Sequence, residues 1–266
     1  MKLLVSAALA ALVAQAALAQ DNPLTDQGSW ADLKDSIVGD AALQDGSALF
    51  SVDAPYRAND AATVPIEIVQ TDDAPMIDSA MVVIDENPAP VAAELTFGPA
   101  MHPLKFDLRV RVNQYSNVRV IAETDQGSFM NGRFVKASGG CSAPASRDPE
   151  LALASMGEMK LRSFGETQPQ MSTPRREAAI MIRHPNYSGL QRDQVTQLFI
   201  GAHFIDHLEV YQGDEMLFTL DGGISISENP VFRFTYTDNG SPDLRVHAED
   251  TEGNVFDHTL PKDAAS

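Results

Sequence analysis

The chain has a single cysteine, and it stands among small residues: Lys136-Ala137-Ser138-Gly139-Gly140-Cys141-Ser142-Ala143-Pro144-Ala145. A cysteine used as a small core hydrophobe is expected inside an apolar alternating run, and Cys141 is not in one. Gly139 and Gly140 remove side chains that would shield the sulfur and give the backbone freedom to swing. Two readings stand, a buried hydrophobe or a thiol on a flexible arm that enters another protein's active site. The local composition favours the second. A free thiol with a pKa near ~8.5 is only about a few per cent thiolate at neutral pH. The formal charge of -18 pushes that pKa up, with modest offset from Arg133, Lys136 and Arg147. Such a thiol is a poor nucleophile for a solitary enzyme, but it serves as a passive attachment point that a partner activates.

Other chemistry is thinly represented. His203 and His207 lie four apart with Asp206 between them, so on a helix or an alternating strand they share one face. Two histidines underdetermine a metal site, there is no His-Glu-x-x-His pattern, and no third ligand stands out, so no metal is expected. His184-Pro185 reads as a turn, and His102, His247 and His258 carry no pattern. Ser138 and Ser142 lack the Gly-x-Ser-x-Gly context of a serine hydrolase. The carboxylate pairs Asp72-Asp73, Asp85-Glu86 and Glu249-Asp250 belong to turns and solvated edges. No glycine-rich phosphate loop joins a strand to a helix. The expectation is a non-enzymatic protein with no catalytic residues and no cofactor.

The elements that must position Cys141 follow from the texture of the chain. Met1-Lys2, the apolar stretch Leu3 to Leu18 and the small-x-small Ala17-Leu18-Ala19 read as a secretory signal over residues 1–19, which places the mature chain in a periplasm. No later run is long and apolar enough for membrane insertion. The acidic surface, with a sequence pI of about 4.5, argues against nucleic acid and anionic membranes. A helix is expected from Ser29 as N-cap, with Asp32 in the first turn, to Gly39. Alternating runs then follow at Val64–Val69, Met81–Ile84, Leu95–Phe97, Phe106–Val112, Val118–Ile121 and Gly132–Val135, separated by turn residues. Residues 142–174 read as a linker with one helix over 150–160, capped by Asp148-Pro149. Strand texture resumes at Ala178–Ile182, Phe204–Tyr211, Met216–Leu220, Val231–Tyr236, Leu244–Ala248 and Val255–Leu260, with hairpin turns at Gln212–Glu215 and Glu252–Asn254. Many short period-2 strands predict an all-β protein of antiparallel sandwiches. Glu-Asn-Pro occurs at 86–88 and again at 228–230, a weak hint of duplication.

The residues also resemble a known pair. Trp30 through Cys141 is similar to SoxY, the sulfur-carrier subunit of the bacterial thiosulfate-oxidising system. The likeness rests on the opening Trp-x-x-Leu helix, Val64-Pro65-Ile66, the stretch Ile84-Asp85-Glu86-Asn87-Pro88-Ala89-Pro90 and the terminal Gly139-Gly140-Cys141. Arg176 through Pro261 resembles its partner SoxZ, on His184-Pro185 with Gly189, the Tyr211–Glu215 hairpin, and Ile224–Pro230 leading into Phe232-Arg233-Phe234. The whole resembles fused SoxYZ-like carriers associated with quinoprotein dehydrogenases. The resemblance implies two immunoglobulin-like β-sandwich domains, over 20–141 and 175–266, on either side of the linker. It implies that Cys141 holds a sulfur intermediate covalently on a swinging arm of Gly139 and Gly140. The partners it implies are periplasmic sulfur-oxidising enzymes. The competing expectation is a non-covalent accessory that docks on a quinoprotein dehydrogenase or a cytochrome. An exposed exported thiol would also permit a disulfide-linked dimer through Cys141. In the family the arm ends the chain, whereas here it continues through Pro144, which stiffens it.

Overall fold

The computed structural model describes residues 24–25, 28–144, 149–164 and 175–262. The expected signal segment, Asp148 and Arg147 lie outside them. Helix α1 (Ser29–Val38) starts one residue earlier than expected. Gly28 takes the cap position and Ser29 is already helical, with no side-chain cap bond. The helix stops where expected, at Gly39, whose N–H closes on the Asp35 carbonyl.

The first half then supplies β1 (Leu43–Asp45), β2 (Phe50–Asp53), β3 (Val64–Gln70), β4 (Ser79–Ile84), β5 (Val91–Phe97), β6 (Lys105–Val110), β7 (Ser116–Thr124) and β8 (Gly127–Val135). The second half supplies a short helix α2 (Pro149–Ala154), β9 (Met159–Phe164), β10 (Arg175–Ile182), β11 (Ile205–Gln212), β12 (Glu215–Gly222), β13 (Val231–Thr237), β14 (Asp243–Asp250) and β15 (Val255–Pro261). Buried and solvated residues alternate along most of them, as in β3 and β13, because each strand turns one face to the core.

Each half is an immunoglobulin-like sandwich, and the two are joined edge to edge into two continuous sheets. One sheet runs β1-β8-β7-β4-β5-β12-β11-β14-β15 and the other β2-β3-β6-β13-β10-β9. The seam is β5 against β12, with Leu95 opposite Leu220, and β6 against β13, with Phe106 opposite Phe234. Phe106 is fully buried there. Its ring meets Phe218 edge-on at 5.0 Å and Phe97 at 5.6 Å, so aromatic packing crosses the seam. Joining the halves this way pairs sheet edges that would otherwise lie open.

Residues 142–174 hold more structure than the expected linker. The helix ends at Ala154 rather than running to residue 160, because Gly157 adopts φ +86 and its N–H bonds the Arg183 carbonyl. Beyond it β9 pairs antiparallel with β10, Leu161 opposite Ile180.

Candidate functional site

Cys141 lies where the two halves meet. After β6 the chain continues through Arg111, Val112 and Asn113, and this extension is the floor of the site. The Gly139 N–H donates to the Asn113 carbonyl (2.8 Å) and the Gly140 N–H to the Val112 carbonyl (3.1 Å), while the Val112 N–H donates to Ala61 (2.8 Å). The two glycines are needed for different reasons. Gly139 has φ +77, and the Ser142 N–H closes a turn on its carbonyl. A Cβ on Gly140 would stand 2.0 Å from the Ala61 carbonyl oxygen.

The second half holds the other side. Ser188 Oγ donates to the Cys141 carbonyl, and Gln191 Nε2 donates to the Ala143 carbonyl at 3.0 Å. The arm is therefore docked by both halves, with its thiol enclosed rather than exposed. Cys141 is 0 % exposed. Burial pushes its thiol up to about 11, with Arg111 pulling the other way. The direction agrees with the sequence reading, but the cause is enclosure rather than net charge. The local offset comes from Arg111, and neither Arg133 nor Lys136 contributes to it. Arg133 donates to the Val52 carbonyl at 3.1 Å, and Lys136 sits over the Tyr56 ring at 4.7 Å. An enclosed thiol cannot form the disulfide-linked dimer while the arm is docked.

Arg111 is 1 % exposed. Its Nη1 donates to the Gly140 carbonyl (3.3 Å) and its Nη2 to the Asn186 carbonyl (3.2 Å), and its Nε has no partner among the described residues. Burial lowers its pKa, opposed by Glu228, Cys141 and Asp60. The repeated Glu-Asn-Pro motif braces this floor. Asn87 Nδ2 donates to the Arg111 carbonyl (2.7 Å) and to Ser225 Oγ (2.8 Å), and Asn87 Oδ1 accepts from the Asn113 N–H (2.8 Å). In the second copy, the Asn229 N–H donates to the His184 carbonyl at 2.8 Å.

His203 and His207 do not form a pair. A bulge between Ile205 and His207 breaks the alternation. His207 lies on the outer sheet face with Asp221 (2.7 Å) and Glu209 (3.2 Å), which raise its pKa. His203 instead joins His184 and Asp250, whose ligand atoms all lie within 4.8 Å of one another. His184, read from the sequence as a turn residue, is a buried group. Its Nδ1 accepts from the Asn186 N–H (3.1 Å), which puts its proton on Nε2, toward Asp250 (3.3 Å). His203 Nε2 lies 2.8 Å from the same carboxylate oxygen. Asp250 Oδ1 accepts from the Glu252 and Asn254 N–H groups (2.9 and 3.0 Å). Burial works to raise Asp250, yet hydrogen bonds from Asn254, His203 and His184 hold it well below the usual carboxylate range. Burial lowers His184. These atoms could accept a divalent cation, but each is spent on a hydrogen-bonded brace. The brace holds the loop His184–Gln191 that closes over Cys141.

Arg111, Asn186, Ser188 and Gln191 were not singled out in the sequence. The alternation Leu108, Val110, Val112 sends Arg111 to the opposite face, which reads as solvent until the second half covers it. Only contacts far apart in sequence make these four residues part of the site.

Two comparisons with known proteins bear on this geometry. The family described as "Sulfur oxidation protein SoxY" matches residues 34–141, ending on the cysteine itself, and "Sulphur oxidation protein SoxZ" matches residues 168–261. Among curated proteins no relative matches the chain. Each family falls on one of the two sandwiches, in that order. The chain therefore belongs to the SoxYZ-like proteins, with the SoxY and SoxZ units fused in one polypeptide and a carrier or partner role in sulfur oxidation.

Proposed function

We propose that the protein is a periplasmic covalent carrier that holds a sulfur-oxidation intermediate on Cys141 and presents it to partner oxidoreductases, without catalysing a step itself. The observation that carries this reading is the position of the sole cysteine. It ends the SoxY match and is clasped by the SoxZ unit, as a shared cargo point requires. With thiosulfate as cargo, the Cys141 thiolate forms a bond to the outer sulfur, giving Cys141–S–S–SO3−. The thiol proton is released, and two electrons pass to a partner oxidoreductase such as a cytochrome or a quinoprotein dehydrogenase. In the docked arm the thiol, at about 11, is almost wholly protonated at neutral pH. Loading therefore requires the arm to leave its seat. The test is the intact mass of the mature protein from its own periplasm, before and after a reductant. A reducible adduct that Cys141→Ser abolishes supports the carrier. An unmodified thiol from cells grown on thiosulfate and related sulfur compounds refutes it.

The burial of the thiol favours a second reading, a non-covalent accessory in which Cys141 only packs. Three exposed apolar side chains, Val195, Leu198 and Phe199, give that reading a docking surface. It requires that Cys141→Ser leave sulfur oxidation intact in cells, whereas the carrier requires that the same substitution abolish it.

A further inference from the structure

Among the described residues, Arg111 is a buried cation with no ion-paired anion. It is 1 % exposed, two of its nitrogens reach only backbone carbonyls, and Nε reaches nothing among those residues. Among the described residues no carboxylate lies within ion-pairing distance of it. Removing a guanidinium from water is costly unless it is paired, and an unsatisfied buried donor calls for an explanation. Of the acids that act on Arg111, Glu228 has the larger influence and Asp60 the smaller. Glu228 is half-buried, and burial raises its pKa.

We infer that Arg111 is the recognition site for an oxyanion carried on Cys141, the sulfonate end of a thiosulfonate adduct. The assignment rests on the carrier reading of Cys141. Arg111 already grips the carbonyl of Gly140, the residue before the cysteine. An S–S bond is about 2.05 Å long, so a sulfonate sulfur two bonds out lies roughly 3 Å from Sγ. Once the arm lifts from its seat, the Gly140 carbonyl leaves Nη1 and the sulfonate approaches the Nε side of the guanidinium. There it engages the unused Nε–H together with a neighbouring Nη–H, the fork that suits oxyanions. The bare arm is thus held through a weak carbonyl contact and the loaded arm through a charged one. Arg111 is a binding residue that selects sulfonate-tipped cargo over neutral cargo.

The experiment compares two reagents that load the same thiol in the full mature chain. Tetrathionate is attacked by the thiolate at an inner sulfur. Its central S–S bond breaks, thiosulfate leaves with the electron pair, and Cys141–S–S–SO3− remains. Methyl methanethiosulfonate loses methanesulfinate in the same way and leaves the neutral Cys141–S–S–CH3. The ratio of the two loading rates, followed by intact mass, cancels arm opening and thiol ionisation, which both reagents share. Arg111→Met is expected to lower the ratio at least about tenfold, the size of a lost charge-assisted hydrogen bond. Arg111→Lys, which keeps the charge without the fork, should fall between. Glu228→Gln, which removes the competing acid, should raise the ratio, and it keeps the test open if Arg111→Met does not fold. A ratio unchanged in all three variants overturns the assignment and leaves the carrier reading standing. If neither reagent adds mass at Cys141 in the wild type, the carrier reading fails first.

Discussion

Substituting Gly140 by alanine should release the arm, and the structure sets the size of the effect. The new Cβ would stand 2.0 Å from the Ala61 carbonyl oxygen, and backbone on both sides cannot yield that far. The arm must leave, and the thiol then returns from about 11 toward the ~8.5 of a solvated cysteine. At pH 7.5 that difference of about 2.5 units raises the thiolate fraction roughly 300-fold. A less basic thiolate is a weaker nucleophile, and a Brønsted slope of ~0.4–0.5 takes back roughly 10- to 20-fold. The net gain is roughly 15- to 30-fold from ionisation alone, and access adds to it. The assay is the pseudo-first-order reaction of Gly140→Ala with a chromogenic disulfide reagent, beside a thermal melt that reports whether the sandwiches stay folded. Gly139→Ala is the internal contrast. Its Cβ meets only Ser142 Oγ, at 3.8 Å, so the cost is the φ of +77, about 1–2 kcal/mol. It should raise reactivity much less. A folded Gly140→Ala protein that reacts no faster than wild type would refute the docked arm.

Three further outcomes follow from the same geometry. The docked thiol has a raised pKa, so its contribution to docking is full below ~8.5 and is lost as pH rises toward about 11; amide exchange at Gly139 and Gly140 should accelerate across that window beyond its normal base dependence. Asn87→Ala strips partners from the Arg111 carbonyl, Ser225 and the Asn113 N–H, and should cost about 2–4 kcal/mol in urea denaturation. His184 is held below its ordinary pKa by burial, so its contribution is full above ~6.5 and declines as pH falls below that value toward the lowered one. His207 and His247 are raised and act with the opposite sign, so the readout is the difference in melting temperature between wild type and His184→Gln, which should shrink as the pH drops from 7 to 5.

The strands were legible because one face of each is buried. The alternation Leu108, Val110, Val112 and that of Val64–Val69 reappear as buried residues facing one core. The short strands β1 and β2 carry too few residues to show a period. Strand β9 was hidden because a helix was run through Gly157, whose positive φ ends it. The cysteine and its two glycines stood out by composition, but their state did not. Gly139-Gly140 reads as freedom when seen alone. Packed on Ala61 and Val112, Gly140 is instead what allows close approach. The histidine pairing failed for a related reason, since a bulge and two distant segments decide what His203 touches.

What holds the arm also says how it can be released. Five hydrogen bonds seat it: from the N–H groups of Gly139 and Gly140, from Arg111 to Gly140, from Ser188 to Cys141 and from Gln191 to Ala143. At a net ~1 kcal/mol each they sum to roughly 5 kcal/mol, too much for the arm to open often unaided. The same loop that supplies Ser188 and Gln191 continues into a groove lined by Ser142, Pro144, Leu190 and Arg192. Beyond it lie Val195, Leu198 and Phe199, exposed at 91 %, 69 % and 61 %. A partner covering those three side chains gains about 1.5–3 kcal/mol from each that it buries fully, which matches the cost of unseating the arm. On the carrier reading, a protein that docked there would bear on the segment that clasps the thiol, which would couple exposure of Cys141 to the arrival of a partner. In solution alone the docked thiol stays neutral and enclosed.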